Sequence, residues 1–275
     1  MRIDMHIHTS ASDGTWNPEQ LVGEVKNKGI QIFALTDHDT IDNISPTRAL
    51  ADEAGLFFLP GIEISSTLHG HLFHILAYGT DPLDTRLQQL IKENTRLMHE
   101  KDDDSIHTLI EHGYNIDLKR YLNYENDITR GGWKALNFLI EEGICKDTNE
   151  FFGGVFNELL SQAFPTFSLP EKVIEIITGA GGIPVLAHPG VTLYNKYRLE
   201  ELLEEFYHRG IQGIETFHPQ HDEETRRICY EWALQKDLQI TGGSDCHGDF
   251  IHYRKLGDPE IYVEQLKVDK ILKKL

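Results

Sequence analysis

Ile30-Gln31-Ile32-Phe33-Ala34-Leu35-Thr36 runs straight into Asp37-His38-Asp39-Thr40. The first seven residues form a short apolar run of the kind buried on both faces in a parallel sheet. The next four are polar or charged and begin where such a strand must stop. A solvated loop ends a strand this way, and so does a carboxylate flanking a liganding histidine. Working outward, the same unit recurs. Upstream, residues 2–7 alternate, with Ile3, Met5 and Ile7 on one face and Asp4, His6 and His8 on the other. Asn17-Pro18-Glu19-Gln20 reads as an N-cap, a first-turn proline and a capping-box partner. It predicts a helix carrying Leu21, Val22 and Val25 to about Gly29. Downstream come a helix opened by Pro46 and ended by Gly55, a strand from Leu56 past Pro60-Gly61 to Ile64, and another over Leu72–Tyr78.

At Asp84 the rhythm breaks. One long polar helix is expected to about His112, then mixed sequence to about Pro170 with helices near Trp133–Glu141 and Phe156–Ala163. The strand–helix rhythm resumes at Ser168-Leu169-Pro170-Glu171, which reads as another cap. Strands at Ile183–Ala187, Gly213–Phe217 and Gln239–Thr241 follow, with helices through Leu199–Phe206 and Thr225–Gln235 between them. About seven strands separated by helices predict a parallel α/β barrel with a helical insertion, and an open doubly wound sheet is the rival. The barrel domain is assigned to 1–83 and 169–275, and the insertion, a lid over the barrel mouth, to 84–168.

Composition limits the function classes. The chain has 275 residues, 40% hydrophobic and 25% charged, as expected of a folded globular protein. Its 44 acidic and 26 basic residues give a net charge of −18, which opposes binding along a duplex nucleic acid. No apolar run approaches a membrane span, and the N-terminus has no apolar signal region. Three cysteines without paired spacing fit a reducing cytoplasm.

The unusual count is 15 histidines. His6, His8, His38, His74, His188, His218 and His247 fall at or past predicted strand ends, the edge where α/β folds build sites. His6 and His8, at i and i+2 of a strand, lie about 6.6 Å apart on one face and can converge on one ion. Glu63 stands between Ile62 and Ile64, where an isolated carboxylate is costly unless paired or metal-bound. Asp245-Cys246-His247 repeats the alternate spacing with a harder ligand, and Cys246 points the other way. His69, His71, His99, His107, His112, His208 and His252 are assigned to the surface. Nitrogen and oxygen ligands without thiolates suit Mn, Zn or Fe. Nine positions exceed one ion's needs, so two or three ions with bridging carboxylates are expected.

His6–Thr15 (HIHTSASDGT), Ala34–Thr40 (ALTDHDT), Gly61–Ser65 (GIEIS), His74–Gly79 (HILAYG), Ala187–Gly190 (AHPG) and Gly243–Gly248 (GSDCHG) stand in this order. Together they resemble the PHP (polymerase and histidinol phosphatase) family, and most of all its nucleotide phosphoesterase and RNA-trimming branch. The resemblance implies a distorted seven-stranded (β/α) barrel and a trinuclear centre. His6, His8, Glu63 and Asp245 would hold the first ion, Asp13, His38 and His247 the second, and Glu63, His74 and His188 the third. It also implies Asp4 as an orienting residue, and His218 on the substrate side, where it could act as general acid. The branch's Gly-Arg-Pro-His run is replaced here by Thr129-Arg130-Gly131-Gly132, which keeps Arg130 as a phosphate-binding residue but drops the Pro-His. The expected activity is metal-dependent hydrolysis of nucleotide phosphates, such as 3′,5′-bisphosphates, or of the 5′ ends of short oligonucleotides, with Mn foremost and Zn or Fe as alternatives. The rival readings are a phosphatase of another small metabolite such as histidinol phosphate and a non-catalytic metal-bound module.

Overall fold

Seven strands pair in the order in which the chain makes them. The computed structural model describes residues 1–156, 164–194 and 196–275. The barrel begins with β1 (Ile3–Asp4), α1 (Pro18–Asn27), β2 (Ile32–Leu35) and α2 (Ile44–Ala54), then β3 (Phe57–Leu68) and β4 (His71–Tyr78). The capping box is present: Asn17 Oδ1 accepts from the Gln20 amide at 2.9 Å, and Gln20 Oε1 accepts from the Asn17 amide at 3.0 Å. Helix α2 starts two residues before Pro46, because proline is tolerated anywhere in a first turn whose amides are unpaired. Gly55 ends it in a left-handed conformation (φ 69°).

The all-parallel expectation fails at β4, which is antiparallel to both β3 and the strand after it. The cause is the two-residue link His69-Gly70, with φ of 50° and 78°. Positive φ at both central residues makes a tight hairpin turn, and two residues cannot carry a parallel crossover.

The long helix α3 (Thr85–Glu111) is capped by Asp84, whose carboxylate accepts from the Arg86 and Leu87 amides. It leads to α4 (Leu118–Leu122), a 3₁₀ turn Ile128–Arg130, α5 (Lys134–Glu141), the short turn α6 (Thr148–Glu150) and a π-helical turn Phe151–Val155. The helix expected at 156–163 falls on residues of which 157–163 lie outside the described ones. Among the described residues no strand lies between β4 and β5. Leu87 and Leu90 of α3 pack on the barrel, whereas Ile106 and Leu109 join Tyr121, Leu136, Phe138 and Phe151 in a separate apolar cluster.

The barrel resumes with α7 (Pro170–Gly179), β5 (Ile183–Leu186), α8 (Leu199–His208), β6 (Gly213–Phe217), α9 (Glu223–Gln235) and β7 (Gln239–Gly242). Ser168 does not cap α7. Its carbonyl accepts from Ser66 Oγ at 2.9 Å, tying the segment to β3, and Leu169 takes the capping position. The barrel closes where Met5 N donates to Gly242 O (3.1 Å) and His8 N to Cys246 O (2.8 Å).

The regular alternation expected through Ile7 breaks after Asp4. Ile3 and Met5 pack with Ile32, Ala34, Leu59 and Val185 inside the barrel, but Ile7 packs outside with Leu21 and Val25 of α1. Ile261, Val268 and Ile271 from the C-terminal segment fill the same interior cluster. On β3, Ile62 and Ile64 pack outward against the helices, so Glu63, between them, faces in. The interior is therefore apolar at one end and carries the polar cluster at the other. No described helix is long and apolar enough to cross a membrane.

Candidate metal centre

Four buried atoms converge at the barrel mouth. His6 Nε2 lies 3.1 Å from His8 Nε2 and 3.0 Å from Glu63 Oε2. His8 Nε2 is 3.2 Å from the same Glu63 oxygen, and Asp245 Oδ1 stands 3.4 Å from His6 and 3.1 Å from His8. A tetrahedron of ligands about 2.0–2.1 Å from its centre has edges of roughly 3.3–3.4 Å. Five measured edges of this quartet, 3.0 to 3.4 Å, match that size. The donor set fits a divalent transition metal held by imidazole and carboxylate.

Glu63 extends the arrangement. Its Oε2 also faces His38 Nδ1 at 3.3 Å, while Oε1 faces His74 Nδ1 at 3.2 Å and His188 Nε2 at 3.0 Å. Nearby, Asp13 Oδ1 is 3.4 Å from His247 Nε2 and 3.8 Å from His8 Nδ1. Three overlapping groups able to hold an ion result: His8, Asp13, His38 and His247; His6, His8, Glu63 and Asp245; and His38, Glu63 and His74. All nine expected residues thus meet at one mouth. His8 Nδ1 and His188 Nδ1 are buried without a hydrogen-bond partner, which is costly for an imidazole left unligated.

Two positions were reached differently from the expectation. His74 sits in the first half of β4, not past its end, and arrives at the mouth because β4 runs backwards. Glu63 lies in the middle of β3, which continues past it as one arm of the hairpin.

The supporting residues explain the aim. Glu215, on β6 beside the outward-packed Ile214, accepts from His6 Nδ1 (2.9 Å) and from the His188 amide (2.8 Å). It fixes one ring and one backbone, a role its sequence context, an acid inside an apolar strand, signalled as it did for Glu63. Asp4 orients backbone rather than a ring, accepting from the amides of His6, Ser244 and Gly257. Asp37 holds the loop before Asp13 through Thr9 and Ser12, and Asp39 binds the Ser65 amide and Asn94. His188 (φ 28°) and Asp245 (φ 50°) occupy the strained left-handed region, as residues at functional sites often do.

Electrostatics follow from crowding. Burial raises the Glu63 carboxyl, but the surrounding imidazoles of His6, His38 and His74 outweigh it and hold it well below the usual range. Burial lowers His8, yet Asp245 and Glu63 lift it to about 10. His38, buried with weaker compensation, falls to about 3. Burial alone would raise Asp245, but Arg254 and His6 hold it well below its ordinary value.

Arg130 is not brought to the cluster. Its guanidinium pairs with Glu141 Oε1 at 2.5 Å and reaches Tyr124 at 3.4 Å, both partners from the insertion itself. The backbone beside it does reach the mouth, where Gly132 N donates to Asp13 O at 2.8 Å. The permanent cation at the cluster is Arg254, which the sequence reading passed over. It contacts Asp245 Oδ2 and donates to Gln220 Oε1 at 2.7 Å. Nothing in its local sequence marks it, since it lies on an irregular segment after β7. Asp245 is thereby divided, with Oδ1 toward His6 and His8 and Oδ2 toward Arg254 and His218. His218 Nδ1 accepts from the Gln220 amide at 3.2 Å, which leaves its proton on Nε2, 3.1 Å from Asp245 Oδ2. His221, also overlooked, is satisfied by Thr216 O and the Gly190 amide and braces the His188 loop.

The family model described as "PHP domain" matches residues 4–130, which carry six of the nine converging residues. Over that span, just under half of the chain, the protein is similar to the PHP domain family. Three curated relatives match along most of their length. The phosphoribosyl 1,2-cyclic phosphate 1,2-diphosphodiesterase of Eggerthella lenta is 28% identical over 90% of this chain and 94% of its own. The 5′-3′ exoribonuclease of Haemophilus influenzae is 29% identical over 90% of each. The 3′,5′-nucleoside bisphosphate phosphatase of Chromobacterium violaceum is 28% identical over 94% of this chain and 91% of its own. Among solved structures, a candidate metal-dependent phosphoesterase from Bifidobacterium adolescentis superposes with a TM-score of 0.80 at 26% identity, covering 99% of this chain and 94% of that one.

Proposed function

We propose that the protein is a metal-dependent phosphoesterase that hydrolyses phosphate esters of nucleotides, including 3′,5′-bisphosphates, or the 5′ ends of short oligonucleotides. The observation that carries it is the ligand-sized quartet His6, His8, Glu63 and Asp245, extended by Glu63 to His74 and His188 and flanked by Asp13, His38 and His247. These nine residues would hold three divalent ions, with Mn foremost. Such ions, when bound, supply positive charge for phosphate oxygens and lower the pKa of water toward neutrality. The chain's own part is to aim and to hold protons. Glu215 fixes His6, and Arg254 and His218 hold the outer oxygen of Asp245; His218 would serve as general acid to a leaving oxygen only as the imidazolium, with both ring nitrogens protonated, and would be left as neutral imidazole. The insertion, 84–168, acts as the lid over this mouth. The three described thiols are unpaired and buried, which supports work in the reducing cytoplasm.

The relatives act on different phosphate esters, so the test is a comparison under one metal and salt condition. Its substrates are a nucleoside 3′,5′-bisphosphate, a five-nucleotide RNA, a ribose cyclic phosphate, histidinol phosphate and a 30-base-pair duplex. We expect Mn²⁺-dependent turnover of the bisphosphate or the RNA and little of the duplex. A better than tenfold preference for histidinol phosphate or the cyclic sugar phosphate would move the substrate assignment, and no metal-dependent turnover of any ester would remove the function.

A further inference from the structure

The insertion's aromatic side chains divide into two sets. Phe151 and Phe167 are buried in packed cores. Phe152 and Phe164 are 46% and 39% exposed, although phenylalanine is ordinarily buried. Both, with Trp133, line a cavity of about 990 Å³ whose wall also includes Asp13, His38 and His74 of the centre. Trp133 and Phe152 stand 5.6 Å apart at 43°, so they offer an angled pair of faces. Trp133 is itself fixed from behind by an edge contact with Phe151 at 5.3 Å. Elsewhere on the wall, the Lys101 ammonium lies 4.8 Å over the Phe164 ring.

We infer that this chamber binds the nucleobase of the substrate by stacking on Phe152, Phe164 and Trp133 while the phosphate sits at the centre. This rests on the phosphoesterase reading and specifies it. The volume is at the upper end for a small-molecule pocket and exceeds what a phosphate or a sugar phosphate needs. The extra space is bordered by flat π-faces, which suit a planar heterocycle of any sequence and ask for no base-specific hydrogen bond. Because the chamber is continuous with the centre, the aromatic group it takes must be joined to a phosphate. The ligand class is therefore a nucleotide, not a free base or a sugar phosphate.

The experiment compares AMP with ribose 5-phosphate, the same 5′-phosphomonoester without a base, on Mn²⁺-loaded protein. Wild type should favour AMP in kcat/KM. Phe152→Ala and Phe164→Ala, at partly exposed positions that folding tolerates, should lower kcat/KM for AMP by roughly ten- to hundredfold, mostly through KM. Ribose 5-phosphate should lose far less, and the tyrosine variants should restore the preference for AMP. A parallel loss on both substrates, or no loss on either, overturns the inference and leaves the phosphoesterase reading standing. If wild type hydrolyses neither, equilibrium binding decides the inference, and the phosphoesterase reading stands or falls on the five-substrate comparison above. Quenching of tryptophan fluorescence by AMP but not by ribose 5-phosphate, abolished in Trp133→Phe, supports base stacking, and equal or absent quenching refutes it.

Discussion

Glu63 shows how much a single position can carry. It was legible in sequence because an acid between two isoleucines has no ordinary place in a strand. The structure adds that its two oxygens face five imidazoles, divided between them. Glu63→Ala should therefore cost two ions together. Elemental analysis of protein purified without chelator should fall from about three metals per chain to one, and loss of a single ion would show that the carboxylate does not bridge. Arg254 is the opposite case. Its partner Asp245 is nine residues away along an irregular path, and no periodicity links them. Arg254→Ala should release Asp245 Oδ2 and lower kcat/KM by roughly 10–100-fold, the usual cost of losing an outer-shell partner. Arg254→Lys should recover part of the loss, and unchanged kinetics in the alanine variant would end this positioning role. Glu215 was visible by the same logic as Glu63, whereas Arg254, His221 and the actual partner of Arg130 depend on contacts that only folding reveals.

Helices and strands with strong end signals were readable to within two residues: the capping box of α1, the aspartate before α3 and the glycine after α2 are all local chemistry. The direction of β4 was also written locally, in His69-Gly70, but the strand-by-strand rhythm of the neighbours concealed it. Helix α3 carries a feature that its polar sequence hid. Asp102 is buried on it, and its Oδ2 accepts from the Ala135 amide in the first turn of α5 at 3.3 Å. Burial raises its carboxyl to about 6. Below about pH 3 the group is neutral in both folded and unfolded chains and costs nothing. As pH rises from about 3 to 6 the unfolded chain ionises first, so stability falls, and above 6 the full penalty remains. Asp102→Asn keeps the acceptor and removes the charge. It should raise the urea midpoint at pH 7.5, by up to roughly 3 kcal/mol in stability, and leave it nearly unchanged at about pH 3. An equal effect at both values would mean that the ionised form pays no such penalty.

At the scale of the whole molecule, the surface and the centre have opposite electrostatic tasks. A net charge of −18 repels nucleotides at a distance, while any attraction is confined to the mouth. Raising ionic strength from about 0.01 to 0.15 M shortens the reach of that repulsion to roughly 8 Å. With metal held saturating, kcat/KM for a five-nucleotide RNA should then rise or stay level. A steep fall would instead reveal a basic track along which phosphates bind. The barrel and the insertion meet at Asp13, whose carbonyl receives the Gly132 amide while its carboxylate looks toward His247 and His8. One residue thus fastens two structures at once. Ions held by that carboxylate would also steady the point to which the insertion is tethered, and a nucleotide bound between the insertion and the mouth would in turn steady the carboxylate. Linkage makes that help mutual. In equilibrium titrations against a chelator, a bound nucleotide should tighten the ions' affinity by the same factor by which the ions tighten its own binding, so the protein would guard its metals best while it is at work.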